Sequence, residues 1–162
     1  PRPQPTPAPP TPPHPPQPPP RNNNELLFLE SLKLVVRPNH PLLQENVTLS
    51  RVLEWPVVVS PEGTAPRQHS DALVQSQGCK IPSGCIETLS ASLSRQLSVE
   101  YDYVWFVPSG AVKDDLRHAT LVALPVPGHG AGEPIGILTR VDATFSSGCQ
   151  LMINAIRKSM PF

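Results

Sequence analysis

The chain has 162 residues, 13 basic and 13 acidic side chains, a formal net charge of zero, three cysteines and 24 prolines. That length holds one domain with a remainder, and balanced charge without a basic block argues against nucleic acid as a partner. No apolar run is long enough for a membrane span, and an odd, sparse set of cysteines does not suit a disulfide-built secreted module.

The sequence begins at Pro1 rather than a methionine and reads as part of a longer protein. Thirteen of the prolines fall within residues 1–20. Proline fixes φ and removes a backbone donor, so residues 1–24 are expected to form a disordered proline-rich linker of polyproline II character. At about 3.1 Å per residue the first 20 would reach roughly 60 Å. Within this arm Pro16-x-x-Pro19-x-Arg21 has the spacing of a ligand for an SH3-type domain, with arginine directed to an acidic pocket. The alternative is a plain spacer between domains.

Residues 25–162 are expected to be a single α+β domain. The run 25–34 could start a helix, or its end at Leu34-Val35-Val36 could finish a strand, because periodicity does not settle a short apolar run. Alternating apolar residues at 47, 49, 53 and 55 suit a half-buried strand, which Pro56 interrupts and Val57-Val58-Val59 resumes. Residues 60–71 read as a polar surface loop and 72–74 as a short strand. The spacing of Ile86, Leu89, Leu93 and Leu97 predicts an amphipathic helix over 83–97 with Ser83 as its N-cap. Residues 99–107 are apolar on both faces and predict a central strand. Two further strands, 119–126 and 135–141, flank a loop containing Gly128, Gly130 and Gly132 and are expected to pair antiparallel. A final helix is expected from 146 or 147 to 158, with Arg157 and Lys158 at the negative end of its dipole. Clustered strands favour a distorted, mostly antiparallel β-barrel or sheet with flanking helices over a doubly wound parallel fold.

Catalytic signatures are absent. The alternating glycines lack the helix N-terminus that a phosphate cradle needs. Ser83 and Ser109 sit in Pro-Ser-Gly turns without a nucleophile elbow, and Asp114 and Asp115 fit a solvated turn better than paired acid–base work. Cys79 and Cys85 lie too far apart for a metal knuckle, although a disulfide around the turn between them is conceivable. Cys149 reads as a buried thiol. No cofactor, metal or catalytic residue is therefore expected. Asn46-Val47-Thr48 is a formal glycosylation sequon. Trp105 reads as core, whereas Trp55 suits either core or an interface anchor.

The segment Arg51-Val52-Leu53-Glu54-Trp55, the helix and strand through 93–106, the strand 120–124, Ile135-Gly136-Ile137-Leu138 and the helix 148–158 resemble the SPOC and Mediator activator-interaction domains over about residues 47–158. That resemblance implies a non-catalytic protein–protein interaction module of a nuclear transcription regulator, a β-barrel that binds an acidic or phosphorylated peptide segment of a partner protein. Trp55, Arg51, Lys80, Arg95, Arg117 and Arg140 would form its binding surface. Two alternatives stand beside it. One is an extracellular module with a Cys79–Cys85 disulfide and a glycan on Asn46. The other is an incomplete enzyme domain in which His118 and Ser109 would act.

Overall fold

A computed structural model describes residues 21–126 and 132–159. Most of the proline-rich arm, with Pro16 and Pro19, and the glycine loop around Gly128 and Gly130 lie outside the described residues. Strand β1 (Asn22–Glu30) begins at the asparagine run itself. It is followed by β2 (Leu32–Val36), a 3-10 turn (Pro41–Gln44), α1 (Leu49–Val52), β3 (Val57–Val59), α2 (Ala65–Ser76) and β4 (Ile86–Glu87). Then come α3 (Ala91–Glu100), β5 (Val104–Pro108), a second 3-10 turn (Ser109–Val112), α4 (Lys113–Arg117), β6 (Val122–Ala123), β7 (Glu133–Arg140) and α5 (Ser147–Ser159). Among the described residues no helix is long and apolar enough to cross a membrane.

The strands form an open five-stranded sheet of order β4-β3-β5-β2-β6 and a separate two-stranded ribbon of β1 and β7. β3 runs parallel to both β4 and β5, while β2 is antiparallel to β5 and β6. Pleating separates the apolar residues cleanly. Leu34, Val36, Val57, Val59, Val104 and Phe106 pack on one face with Leu73 and Val74 of α2. Val35, Val58, Trp105 and Val107 pack on the other with Leu97 of α3 and Leu116 of α4. Helices thus cover both faces of a sheet whose three neighbouring strands β4, β3 and β5 are parallel. The arrangement is an α+β fold of mixed sheets with flanking helices, as expected, and the main sheet is open rather than closed into a barrel.

Several expectations change with it. Residues 25–34 are extended rather than helical. The alternation over 47–55 belongs to α1 and the turn after it, because Thr48 caps a helix there by accepting from the Arg51 N–H. Residues 65–74, read as loop and strand, are α2, started by Thr64 as N-cap and by Pro66 in the first turn. The helix expected at 83–97 starts at Ala91, capped by Ser90. That shift rotates its buried side: Leu89 and Leu93 are exposed, and Ser94 and Ser98 face the sheet. Residues 119–126 pair with β2, not with β7, and only Val122–Ala123 is strand. β3, β5, β7 and α5 lie close to where hydrophobic pattern puts them.

In the ribbon, β1 pairs antiparallel with β7 from Asn22 opposite Arg140 to Glu30 opposite Glu133, with a bulge between Leu26 and Phe28. Gly136 is required there: a Cβ at this position would lie 2.4 Å from the Glu25 carbonyl oxygen.

One buried polar cluster ties the edge of the sheet to the loop before β5. The Nδ1 of His40, wholly buried, accepts from the Leu42 N–H at 3.2 Å, so the ring proton sits on Nε2 and is donated to the Asp102 carbonyl at 3.2 Å. The ring lies edge-on to Trp55, with centroids 4.5 Å apart. Asp102 adopts a left-handed backbone at φ 59°, and its carboxylate pairs with Arg37.

Two predictions follow from this packing. Burial lowers the His40 pKa below its ordinary value of about 6.5. The unfolded chain therefore binds the proton first, and stability falls as pH drops through about 6.5 towards the folded-state value. His40→Asn, which keeps an acceptor for the Leu42 N–H, should flatten that part of the melting profile between pH 7 and 5. Separately, the buried Ser98 hydroxyl has no hydrogen-bond partner among the described residues. Ser98→Ala should raise stability by about 1 kcal/mol, or roughly 2–4 °C in calorimetry; a drop in melting temperature would contradict the packing described.

Candidate functional site

In an open α/β sheet, ligands sit outside the carboxyl ends of the parallel strands, where connections diverge and backbone groups are not spent on the ladder. Here β3 and β5 end side by side, at Val59 and Pro108. The antiparallel register places Leu32 opposite Pro108, so β2 begins at the same end. β1 delivers the chain to that point through Glu30 and Ser31, and β7 leaves it at Glu133. The first turns of α2 supply Pro66 and His69. These segments close on a narrow crevice with no room for a water molecule, lined by Glu30, Ser31, Leu32, Pro66, His69, Pro108 and Glu133.

Four contacts organise its polar groups. The Glu30 carboxylate accepts from the Ser109 hydroxyl and, at 3.0 Å, from the Gly110 N–H. The Ser109 N–H donates to the Ser31 carbonyl at 2.8 Å, closing the turn against the start of β2. Glu133 faces the imidazole of His69, with Oε2 3.7 Å from Nδ1. The ribbon register sets Glu30 directly opposite Glu133. Like charges in that relation repel, and each carboxylate is compensated on its outer side by a different part of the sheet lobe.

A second, more open groove runs beside α2 and is lined by Glu62, Arg67, Asp71, Gln75, Cys79 and Lys80 among others. Its buried cation, Arg67, is engaged by Asp71 and Glu87, with Glu62 at 3.7 Å. That hydrogen bonding holds the Glu87 carboxyl below its usual range.

The residues expected to form a peptide surface are scattered. Arg51 pairs with Glu45 and Glu54, Arg117 with Asp114 and Arg140 with Asp142. Arg95 forms a bidentate pair with Asp115, which keeps that carboxyl below its normal range, and lies 6.0 Å from the centre of the Trp105 ring. Lys80 is exposed at the rim of the α2 groove, and Trp55 is half-buried against His40. Arg21 is exposed, its carbonyl accepting from the Val141 N–H. Asn46 is exposed in the loop before α1. Cys79, Cys85 and Cys149 are all free; burial pushes the Cys85 thiol upward, towards the protonated form. His118 caps the end of α4 and Ser109 is tied to Glu30, so the structure does not join them into an acid–base pair. Among the described residues no group of histidine, cysteine and carboxylate ligands could hold a metal ion.

Sequence reading passed over Glu30, His69 and Glu133. Pro108-Ser109-Gly110 after an apolar strand was the one visible signal. The partners of that turn come from distant segments that only the register brings together.

Comparison with known proteins fits this geometry. Residues 13–161 match the LysR substrate binding domain. The chain is 99% identical over 140 residues to the HTH-type transcriptional regulator YdcI of Escherichia coli, covering 86% of this chain and 46% of that protein. It is 27% identical over 136 residues to the HTH-type transcriptional regulator PcaQ of Agrobacterium fabrum, covering 83% of this chain and 44% of that one. The chain thus spans less than half the length of these relatives. In fold it is similar to the regulatory domain of Synechocystis CcmR, solved in complex with 2-PG, with a TM-score of 0.70, 14% identity, and coverage of 91% of this chain and 72% of that one. The effector-binding domain of QuiR in complex with shikimate gives a TM-score of 0.63 at 16% identity, covering 85% and 64%.

These findings overturn the SPOC and Mediator resemblance, and with it the nuclear peptide-binding module: the matching family is a different one, and a bacterial relative has no nucleus. The extracellular alternative falls as well, since the relatives are transcriptional regulators. Those same relatives are helix-turn-helix proteins, which also overturns the exclusion of nucleic acid. Charge balance over this segment does not report on a DNA-binding part elsewhere in such proteins. The relatives are regulators rather than enzymes, so the incomplete-enzyme alternative is set aside.

The hold on Glu30 can be measured directly. Ser109→Ala removes a donor worth about 1–2 kcal/mol, so the Gly110 amide should exchange with solvent roughly 5–30-fold faster. An unchanged rate would mean that the Glu30–Ser109 contact does not restrain this turn.

Proposed function

The chain belongs to the LysR substrate-binding domain family, and on that premise we propose that it forms part of the effector-binding portion of a bacterial transcriptional regulator. In this reading the effector is a small molecule seated over the crevice at the carboxyl ends of β3 and β5, against the remainder of such a domain. The regulator acts on DNA inside the bacterial cell, through a helix-turn-helix part such as its relatives carry. The observation that carries the reading is convergence: both ribbon strands, the first turns of α2 and the turn after β5 meet at one crevice. A ligand there touches the ribbon and the sheet lobe together, so binding is coupled to their relative position.

The ribbon and α5 support the same reading. Leu26, Leu29 and Leu138 on the ribbon, Leu151 and Met152 on α5 and Phe145 in the connection between them are all substantially exposed. A soluble domain rarely leaves so much apolar surface open. The solved domains of similar fold extend beyond the region aligned with this chain, and we assign this face to packing against the remainder of such a domain. The effector would then be enclosed between two lobes, with β1 and β7 as the connection.

The test uses the full-length regulator. His69→Ala should weaken the response of DNA binding to effector by roughly tenfold, the effect of losing about 1.4 kcal/mol of ligand contact. DNA affinity without effector should stay unchanged. An effector response that survives substitution of both His69 and Glu133 would reject the crevice as the effector site.

A further inference from the structure

At the end of the sheet lobe opposite the crevice, three segments meet around His40, beside the amino ends of β3 and β5. The first is the turn that leaves β2, where the Arg37 carbonyl accepts from the His40 N–H and the His40 carbonyl accepts from the Leu43 N–H. The second is the approach to β3. There Trp55 meets the ring edge-on, and the Pro56 carbonyl accepts from the Val104 N–H that opens β5. The third is the link from α3 to β5, where the Asp102 carbonyl takes the ring proton.

Both ring nitrogens are committed, in opposite senses. Nε2 donates to Asp102, whereas Nδ1 accepts from the Leu42 N–H and caps the 3-10 turn over Pro41–Gln44. The neutral ring satisfies both contacts, and the imidazolium, which has two donors and no acceptor, cannot. A proton on Nδ1 sets donor against donor and leaves the amide of fully buried Leu42 without an acceptor. The added charge is also badly placed. The ring is wholly buried, and the charged groups that face it are the Asp102 carboxylate, from the α3–β5 link, and the Arg37 guanidinium, from the end of β2. These two already pair with each other, and Trp55, from the third segment, carries no charge. Moving the ring into water removes both penalties. Asp102 is held in the left-handed region at φ 59°, which costs a non-glycine residue, so the link relaxes when the ring withdraws.

We propose that His40 is a proton-operated latch: neutral, it pins the 41–44 turn to the α3–β5 link, and protonated, it releases both while the rest of the sheet stays folded. Release reaches the end of α3, because the Tyr101 and Tyr103 N–H groups both donate to the Leu97 carbonyl. The latch lies at the far end of β3 and β5 from the crevice and acts whether or not an effector is seated there.

Native-state amide exchange of the full chain at pH 7, 6 and 5 tests this, read as protection factors so that the intrinsic pH dependence of exchange cancels. The Leu42 and Tyr103 amides should lose protection by roughly tenfold per pH unit below about 6.5, until the closed form itself takes up the proton. The Trp105 amide, in the centre of the sheet, should keep its protection. His40→Asn, whose side-chain oxygen accepts from the Leu42 N–H without titrating, should hold Leu42 protection constant across the range. In the unmodified chain the His40 ring nitrogens, followed by NMR, should titrate together with the loss of Leu42 protection, a readout that does not depend on the variant folding. Leu42 protection that is equal at pH 7 and pH 5, or that falls in step with Trp105, would overturn the latch: the first makes His40 a fixed contact and the second makes its release part of global unfolding. An equal fall in His40→Asn, or a ring titration separate from the loss of protection, would assign the release to another group and overturn it too.

Discussion

The antiparallel register between β1 and β7 is the constraint on which the site depends. These strands lie at opposite ends of the described chain and pair along their whole length, from Asn22 opposite Arg140 to Glu30 opposite Glu133. Closing so long a loop costs entropy that only a continuous ladder offsets. Gly136 allows the backbones to approach at Glu25, and the Arg157–Glu25 pair fixes α5 against the ribbon. A slip of one residue would turn every side chain to the opposite face. Such a slip in β1 would take Glu30 from its place opposite Glu133.

The five-stranded sheet provides the other half of the constraint. β5 is buried on both faces because it lies between β3 and β2 with helices above and below. Past its end at Pro108 the Ser109 N–H ties the turn to the Ser31 carbonyl. Ser109 and Gly110 hold Glu30 from that turn, while His69 meets Glu133 from α2. Each ribbon strand is thus tethered to the sheet lobe by a separate polar contact. A ligand that alters either contact alters how the ribbon sits on the lobe, which is a physical route from a small molecule to a change in the rest of a regulator.

Fold similarity at 14–16% identity carries the architecture and not the ligand. Side chains decide the ligand, and in the turn after β5 the Ser109 hydroxyl and the Gly110 N–H are both directed to Glu30.

Much of the hydrophobic skeleton was determined by sequence alone. Val57-Val58-Val59, the run through Trp105 and Phe106, and the strand at 135–141 declare themselves because alternation and β-branched residues are local properties. So does the final helix. Helix starts were harder to read: Thr64 and Ser90 are true caps, yet Ser83 offered the same chemistry, and only packing chose between them. Ser94 and Ser98 face the sheet where leucines were expected, because helix phase follows the neighbouring strand and not the hydrophobicity of the helix by itself. Tertiary structure alone decided strand order, the direction of β3 relative to β5, and the meeting of Glu30, His69, Ser109 and Glu133. Strand pairing between distant segments is a collective choice made by the whole core, and a linear pattern of residues carries no record of which strand lies beside which.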